Sequence, residues 1–421
     1  MHATDAPMDA PMEAPIRSAE IVAVGTELLL GEIVDTNGAW LAATLADRGV
    51  DVYWSVRVGD NLARVREALE AALERSDLVV TSGGLGPTED DLTREAIAAV
   101  AGETPTVDPV LEDELRARFA RMDRSMPEAN VKQAWTIPSS ETLPNPRGTA
   151  PGWLVRLQRG GRTRYVAALP GPPRELLRMV EHELLPRLPL PESRLWTTTL
   201  KVGGLGESHV AAVLAELTAG ANPSVATYAR ADGVHVRVAA KGPDAEAAET
   251  LGRPVALEVA ARLGDAVWGA DDDDLASVVI DALHRSGRRL AVVERATGGR
   301  LASALSAADE RRSALAGAVV AWQVDAMDTL GPPAASLRGA NAAEAAVGAR
   351  AFFAADAAIA VGELRAMDDE DGGVSVDVAV RDAQGDETDT VRLLERGGPW
   401  VRDRVVLRAL DLLRRRLRDT R

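Results

Sequence analysis

The groups most able to do chemistry in this 421-residue chain are concentrated in Ser82-Gly83-Gly84-Leu85-Gly86-Pro87-Thr88-Glu89-Asp90-Asp91-Leu92-Thr93. Gly83, Gly84 and Gly86 let the backbone approach a ligand closely, and the helix start that follows offers unpaired N–H groups to a phosphate. The acids Glu89, Asp90 and Asp91, beside Thr88 and Thr93, suit a hard divalent cation that bridges them to such an anion. A glycine-rich turn capped by Asp, with the acids merely solvated, would use the same residues, because a strand-to-helix glycine turn alone is weakly specific. No Gly-Lys-Ser/Thr follows, so this is not a P-loop, and the spacing is not the dinucleotide fingerprint either. The histidines (His2, His182, His209, His235, His284) show no ligand spacing. Cysteine is absent, which excludes disulfides, thiolate catalysis and Cys-ligated zinc.

The elements that must position this loop follow from periodicity. The apolar run 20–24 reads as a strand ending at Gly25, and a helix is expected over 37–48, stopped by Gly49. Val52, Trp54, Val56 and Val58 alternate as in a strand. Asp60 or Asn61 can cap the next helix, whose Leu62, Val65, Leu69, Ala72 and Leu73 share one face. A third strand, 77–81, runs into the glycine loop, and helix signal resumes at Leu92. Such alternation predicts a parallel, doubly wound α/β sheet whose ligands lie beyond the carboxyl ends of the strands. That rim carries Gly25-Thr26-Glu27, Gly59-Asp60 and the 83–91 loop.

A proline-rich break at 185–191 ends this unit. A small α+β pattern follows: strand 197–202, helix 207–217, strand 233–239 and helix 244–262. The run Asp271–Asp274 should cap a helix with Leu275, Val278, Val279, Ala282 and Leu283 inward. Strands at 289–293, 317–321, 357–361 and 374–380 and a last helix at 402–417 make a separate α/β region. The expected organisation is a disordered tail over 1–17, then domains at 18–190, 191–268 and 270–421.

With 48 Lys+Arg against 64 Asp+Glu the formal net charge is −16, which argues against nucleic-acid and anionic-membrane partners. No apolar run reaches the roughly 18 residues of a membrane span. The first 17 residues lack the pattern of a signal peptide, so a cytoplasmic location is expected. Lysine occurs only at Lys132, Lys201 and Lys241, and tyrosine only at Tyr53, Tyr165 and Tyr228, so neither exists after Lys241.

The motifs Gly25-Thr26-Glu27-Leu28-Leu29-Leu30-Gly31, Asp35-Thr36-Asn37, Gly83–Thr88 with Asp90–Thr93, Met126–Asn130, Asn145–Gly152 and Leu169–Pro173 occur in the order of the CinA family, which the chain resembles over 18–421. Gly204-Leu205-Gly206-Glu207-Ser208 and Asn222–Ala226 fit the same pattern. The resemblance implies a MoaB/Mog-like, molybdopterin-binding type of N-terminal domain, a small α+β middle domain and an α/β CinA C-terminal domain. It further implies metal-dependent hydrolysis of ADP-ribose, a small nucleotide substrate, by the N-terminal domain, with Co, Mn or Mg as the divalent metal. On it rest Asp91 and Asp60 as ligand or base, and Asp91, Asp90 and Glu27 as metal-side acids. Gly83, Gly84, Gly86, Thr88, Thr26 and Arg147 would contact substrate, Arg147 being suited to a bidentate phosphate contact. Glu27 as a surface acid, Asp60 as a helix cap and 145–152 as a turn-rich connection remain alternatives. A non-catalytic nucleotide- or pterin-binding protein is a second functional reading, adenylyl transfer to a pterin is a third that the CinA-type motifs disfavour, and a homodimer is expected.

The C-terminal region departs from what it resembles, nicotinamide mononucleotide deamidase. Where that family reads Glu-Ser-Cys-Thr-Gly-Gly, this chain reads Glu294-Arg295-Ala296-Thr297-Gly298-Gly299. A guanidinium replaces the nucleophilic hydroxyl. The tyrosine position falls on Trp322 and the lysine position on or next to Met327, and the 361–371 stretch gains carboxylates where relatives carry a Gly-Pro-Gly-rich anion loop. Without a nucleophile and its base the deamidase chemistry is expected to be lost.

Overall fold

Alternate residues of the first strand face opposite helix layers, and this is what makes the N-terminal sheet doubly wound. In β1 (Ser18–Val24) Val22 and Val24 join Val65, Leu69, Ala96 and Ile97 in one buried cluster. Ala19 and Ile21 join Leu41, Leu45, Leu176 and Met179 in another on the opposite face. The period of two along a strand produces this split. The computed structural model describes residues 14–322, 337, 341–367, 373–393 and 399–418. By its contacts the chain divides into two units, one running to Trp196 with Lys241–Ala248, the other comprising Thr197–Ala240 and the chain from Glu249 onward.

The first unit continues with α1 (Thr26–Leu30), α2 (Thr36–Asp47), β2 (Asp51–Val58), α3 (Leu62–Arg75), β3 (Leu78–Ser82) and α4 (Thr93–Ala101). A two-stranded ribbon pairs β4 (Thr106–Val107) with β5 (Trp135–Thr136) around α5 (Pro109–Arg121). Then come β6 (Ser140–Leu143), β7 (Gly152–Arg159), β8 (Arg162–Leu169) and α6 (Pro173–Met179). Strand order is β2-β1-β3-β8-β7-β6. The strands β2, β1, β3 and β8 are mutually parallel, as the alternation predicts. β7 and β6 are antiparallel, so the sheet is mixed rather than wholly parallel. The reversal is made by Gly160 (φ 59°) and Gly161 (φ 73°), two successive positive-φ residues of the kind a tight hairpin turn requires. The expected disordered tail over 1–17 is corrected at its end. Ile16 is buried in the core and its N–H donates to the Pro189 carbonyl, whereas residues 1–13 lie outside the described residues.

The chain continues, mostly within the second unit, with β9 (Arg194–Val202), α7 (Glu207–Val213), α8 (Ala215–Thr218), β10 (Ser224–Arg230), β11 (Gly233–Gly242), α9 (Ala245–Leu263) and β12 (Val267–Ala270). Its sheet runs β10-β11-β9-β12. There follow α10 (Leu275–Ser286), β13 (Leu290–Glu294), α11 (Arg300–Ala308), β14 (Leu315–Val320), α12 (Ala342–Phe352), β15 (Ala357–Val361), β16 (Arg365–Ala366), β17 (Val374–Asp382), β18 (Gly385–Leu393) and α13 (Pro399–Arg418). Here β14-β13-β15 are parallel, and β17 turns back to pair with β15, β16 and β18. Asp274 caps α10 by accepting from the Ser277 N–H, at the end of the acidic run. Among the described residues no helix is long and apolar enough to cross a membrane.

Candidate functional site

A cleft of about 620 Å3 opens at the carboxyl ends of β1 and β3. Glu27, Asp60, Gly83, Gly84, Gly86, Thr88, Asp90 and Asp91 all line it. Thr26 and Arg147 do not. The floor is glycine because nothing larger fits. At Gly83 (φ 105°) an added Cβ would lie 2.2 Å from the Val24 carbonyl oxygen, and at Gly84 (φ 67°) it would lie 2.2 Å from the Thr93 hydroxyl. That hydroxyl instead donates to the Gly83 carbonyl at 2.8 Å, tying the start of α4 to the loop.

Each acid of the rim has a defined partner. One oxygen of Asp91 accepts from the Thr88 N–H at 2.9 Å and from the Thr88 hydroxyl. The hydroxyl of Thr88 also holds the Asp90 carboxyl below the usual carboxylate range, keeping it ionised. One oxygen of Asp60 accepts from the Thr26 N–H and hydroxyl, both at 2.8 Å. Asn61, not Asp60, caps α3, by accepting from the Arg64 N–H at 3.1 Å. Asp60 is thereby free for the cleft, and Thr26 is its orienting donor rather than a lining group. The Glu27 carboxylate folds back over its own turn, where a Cβ on Gly25 would meet it at 2.5 Å. Arg147 is exposed, and its guanidinium donates to the Arg174 carbonyl at 3.1 Å. The 145–152 segment is organised by Asn145, whose side-chain oxygen accepts from the Arg147 and Gly148 N–H groups.

Residues that spacing did not single out hold this arrangement. Arg94 on α4 is 1% exposed, donates to the carbonyls of Leu85 (2.9 Å) and Pro151 (2.7 Å), and is pushed down to about 10 by burial. It clamps the glycine loop from behind and leaves a buried positive charge there. Lys132 pairs with Glu95 at 2.7 Å and donates to the carbonyls of Thr88 and Asp91. Asn37 is 8% exposed and lines the cleft; its NH2 bridges the Ser82 hydroxyl and the Gly171 carbonyl at 2.9 and 2.7 Å. Only Asn37 had a signal, as part of Asp35-Thr36-Asn37; Arg94 and Lys132 look like ordinary helix-surface cations in the sequence.

No three His, Cys, Asp or Glu side chains converge as a metal cage among the described residues. The acids present fit a cation held by one or two carboxylates and completed by phosphate oxygens and water, the usual magnesium arrangement.

In the second unit the turn after β13 is closed by its own side chains. Glu294 is fully buried and spends its carboxylate on Thr297 (2.5 Å) and on the N–H groups of Leu301 and Ala302 at the start of α11. Arg295 is 7% exposed, with a guanidinium nitrogen 3.8 Å from Glu363. The Trp322 ring covers Gly298, where a Cβ would fall 2.7 Å from it. Met327 and residues 368–371 lie outside the described residues.

Fold and cleft define an α/β protein whose first domain is of the molybdopterin-binding class, and residues 20–190 match the family description "Probable molybdopterin binding domain". Residues 197–269 match "Damage-inducible protein CinA KH domain" and 272–417 match "CinA C-terminal domain". A CinA-like protein of Deinococcus radiodurans is 50% identical over 349 residues, covering 82% of this chain and 85% of that one. Another, from Thermomicrobium roseum, is 48% identical over 291 residues, covering 68% and 70%. The chain belongs to the CinA family. Among solved structures, CinA from Thermoplasma acidophilum, described as of unknown function, is 35% identical and covers 39% of this chain and 94% of that one, with a TM-score of 0.35.

Proposed function

We propose that the N-terminal cleft hydrolyses ADP-ribose or a related nucleotide diphosphate. The observation that carries this reading is one cleft lined by a glycine floor and by Glu27, Asp60, Asp90 and Asp91. A diphosphate needs backbone N–H groups close to its oxygens, and the Gly83–Gly86 loop can approach it without side-chain interference. The buried Arg94 charge behind the loop favours an anion in front of it. A divalent cation, Co, Mn or Mg, held by Asp91 with Asp90 or Glu27, would neutralise the charge that develops on the diphosphate. In each of Asp91 and Asp60, one oxygen is fixed by a threonine and the other has no protein donor among the described residues. The free oxygen of Asp60, or that of Asp91 where Asp91 is not the metal ligand, can take a proton from the attacking water, which adds across the P–O–P bond to leave AMP and ribose 5-phosphate.

The C-terminal deamidase activity is absent on this reading, because Arg295 stands at the nucleophile position and its turn is filled. The protein acts in the cytoplasm as a homodimer. A molybdopterin-binding description for residues 20–190 favours one second reading, a pterin- or nucleotide-binding protein without turnover. Incubating the purified protein with ADP-ribose and Co2+, Mn2+ or Mg2+ separates the two. AMP release supports hydrolysis; saturable binding with no AMP under any of the metals supports the second reading and ends the first.

A further inference from the structure

A second cavity, of about 280 Å3, lies within the second unit between the Gly203–Gly206 loop and one face of α13. We propose that it is a binding site for a phosphate-type oxyanion, separate from the N-terminal cleft and independent of what that cleft does. Gly204 has φ 77°, and a Cβ there would stand 3.0 Å from a terminal nitrogen of Arg408, so glycine is what lets the guanidinium lie against the loop backbone. Gly203 packs in the same way on the Trp268 ring, with a Cβ position 3.2 Å from the indole. The N–H groups of Gly204, Leu205 and Gly206 donate to no backbone or side-chain acceptor among the described residues. The Trp268 indole N–H is likewise unpartnered although the residue is only 5% exposed, a buried donor left without an acceptor.

Charge at the cavity favours an anion. Arg404 is exposed on its wall and makes no ion pair with any described residue. Arg408 spends one nitrogen on Asp389 at 2.6 Å, which leaves the nitrogen beside Gly204 available. The buried acid of the wall, Asp411, is already neutralised by Arg414 at 2.7 Å and Arg415 at 3.3 Å, so it does not repel a ligand. The other acid, Asp232, lies 2.8 Å from the His235 Nε2, an ion pair when that imidazole is protonated. Two guanidiniums and a loop whose N–H groups at 204–206 have no protein acceptor among the described residues therefore line this space, together with the Trp268 ring; of its two acids, Asp411 is held by guanidiniums. A tetrahedral oxyanion, with several acceptor oxygens, matches that set better than a neutral ligand does.

The test is hydrogen–deuterium exchange on the full-length protein, titrated in parallel with inorganic phosphate and with AMP at constant ionic strength. The expected result is protection of the 203–207 and 401–411 peptides, resolved from any protection of 83–91. AMP acting at roughly tenfold lower concentration than phosphate would identify a nucleotide as the source. Equal potency would identify phosphate itself. Arg404→Glu, a change at an exposed position, should abolish this protection and leave that of 83–91 unchanged; Arg408→Gln should weaken it. No protection of 203–207 by either ligand, or protection that survives Arg404→Glu, overturns the assignment.

Discussion

Two strand-to-helix turns, the one after β3 and the one after β13, use glycine for the same purpose and end differently. At Gly83–Asp91 the glycines keep side chains off the floor, and the acids stand around an open cleft. At Glu294–Gly299 the acid is consumed by the N–H groups of its own helix, the guanidinium of Arg295 is buried, and Trp322 covers Gly298. The same local device can therefore present a ligand site or seal itself. What decides is whether the neighbouring polar groups are satisfied within the turn or left with free valences at its mouth.

The strongest way to break this contrast is Asp91→Ala. If the free oxygen of Asp91 serves the reaction, hydrolysis of ADP-ribose should fall by about 10²–10⁴-fold. Circular dichroism would stay near wild type, since Asp91 is a partly exposed rim residue. Full activity in Asp91→Ala would refute the assignment of the residue while leaving the activity itself standing; Asp60→Ala would then take its place as the test.

The sealed unit should instead be vulnerable through its buried charges. Asp382 is fully buried and accepts from Arg416 at 2.9 and 3.0 Å, with Arg288 at 3.5 Å. Burial alone would raise its carboxyl, but the hydrogen bond and charge of Arg416 outweigh burial and hold it below the usual range. A carboxylate with a depressed folded pKa adds stability above its unfolded value, and that stability is lost as pH falls through the folded value. The second unit should thus lose stability below about pH 4, with Asp309 acting in the same window, its burial outweighed by hydrogen bonds from the Ala314, Ser313 and Leu315 N–H groups. Asp382→Asn should cost about 3 kcal/mol at neutral pH, because it removes the fully buried carboxylate charge shared by two guanidiniums that are each only 17% exposed. Urea unfolding of the variant at pH 7 and pH 4 checks both statements: the gap between variant and wild type must narrow in acid.

A smaller effect is expected from Gly83→Ala. The residue would have to leave φ 105° and its methyl would meet the Val24 carbonyl, a strain of about 1–3 kcal/mol. Unlike Asp91→Ala, this variant should lower both the unfolding midpoint of the N-terminal unit and substrate affinity. A normal midpoint and a normal KM would mean that the floor does not need glycine there.

How far the sequence reveals these differences depends on the distance over which each signal acts. The rim residues were legible because loop chemistry is local: glycines, threonines and acids within twelve positions announce a turn. Helix and strand periods likewise revealed β1, β2, β3, α3 and α10. Arg94 was not legible, because its role rests on the carbonyl of Pro151, 57 positions away. The choice between Asp60 and Asn61 as cap was not legible either, since it depends on Thr26, 34 positions upstream. β18 escaped because only Val391 of its residues is buried, so it reads as a charged loop. The β7–β8 hairpin does carry a local signal, Gly160-Gly161 between two half-apolar runs.

The smallest expected effect is also the one that bears most directly on the contrast between the turns. Arg295→Ser restores the hydroxyl at the position where the resembled amidases carry a nucleophile. If the identity of that residue alone had silenced the turn, the variant should release nicotinic acid mononucleotide and ammonia from nicotinamide mononucleotide. The geometry argues that it will not. A serine there would find Glu294 already accepting three hydrogen bonds, Trp322 over Gly298, and no lysine or tyrosine anywhere after Lys241 to take its proton. No deamidation should be measurable in Arg295→Ser, nor in Arg295→Ser combined with Trp322→Tyr, because the base is still missing. Turnover in the single variant would show that the turn is open to substrate, and the distinction between an open turn and a sealed one would fail at the place where it is drawn most sharply.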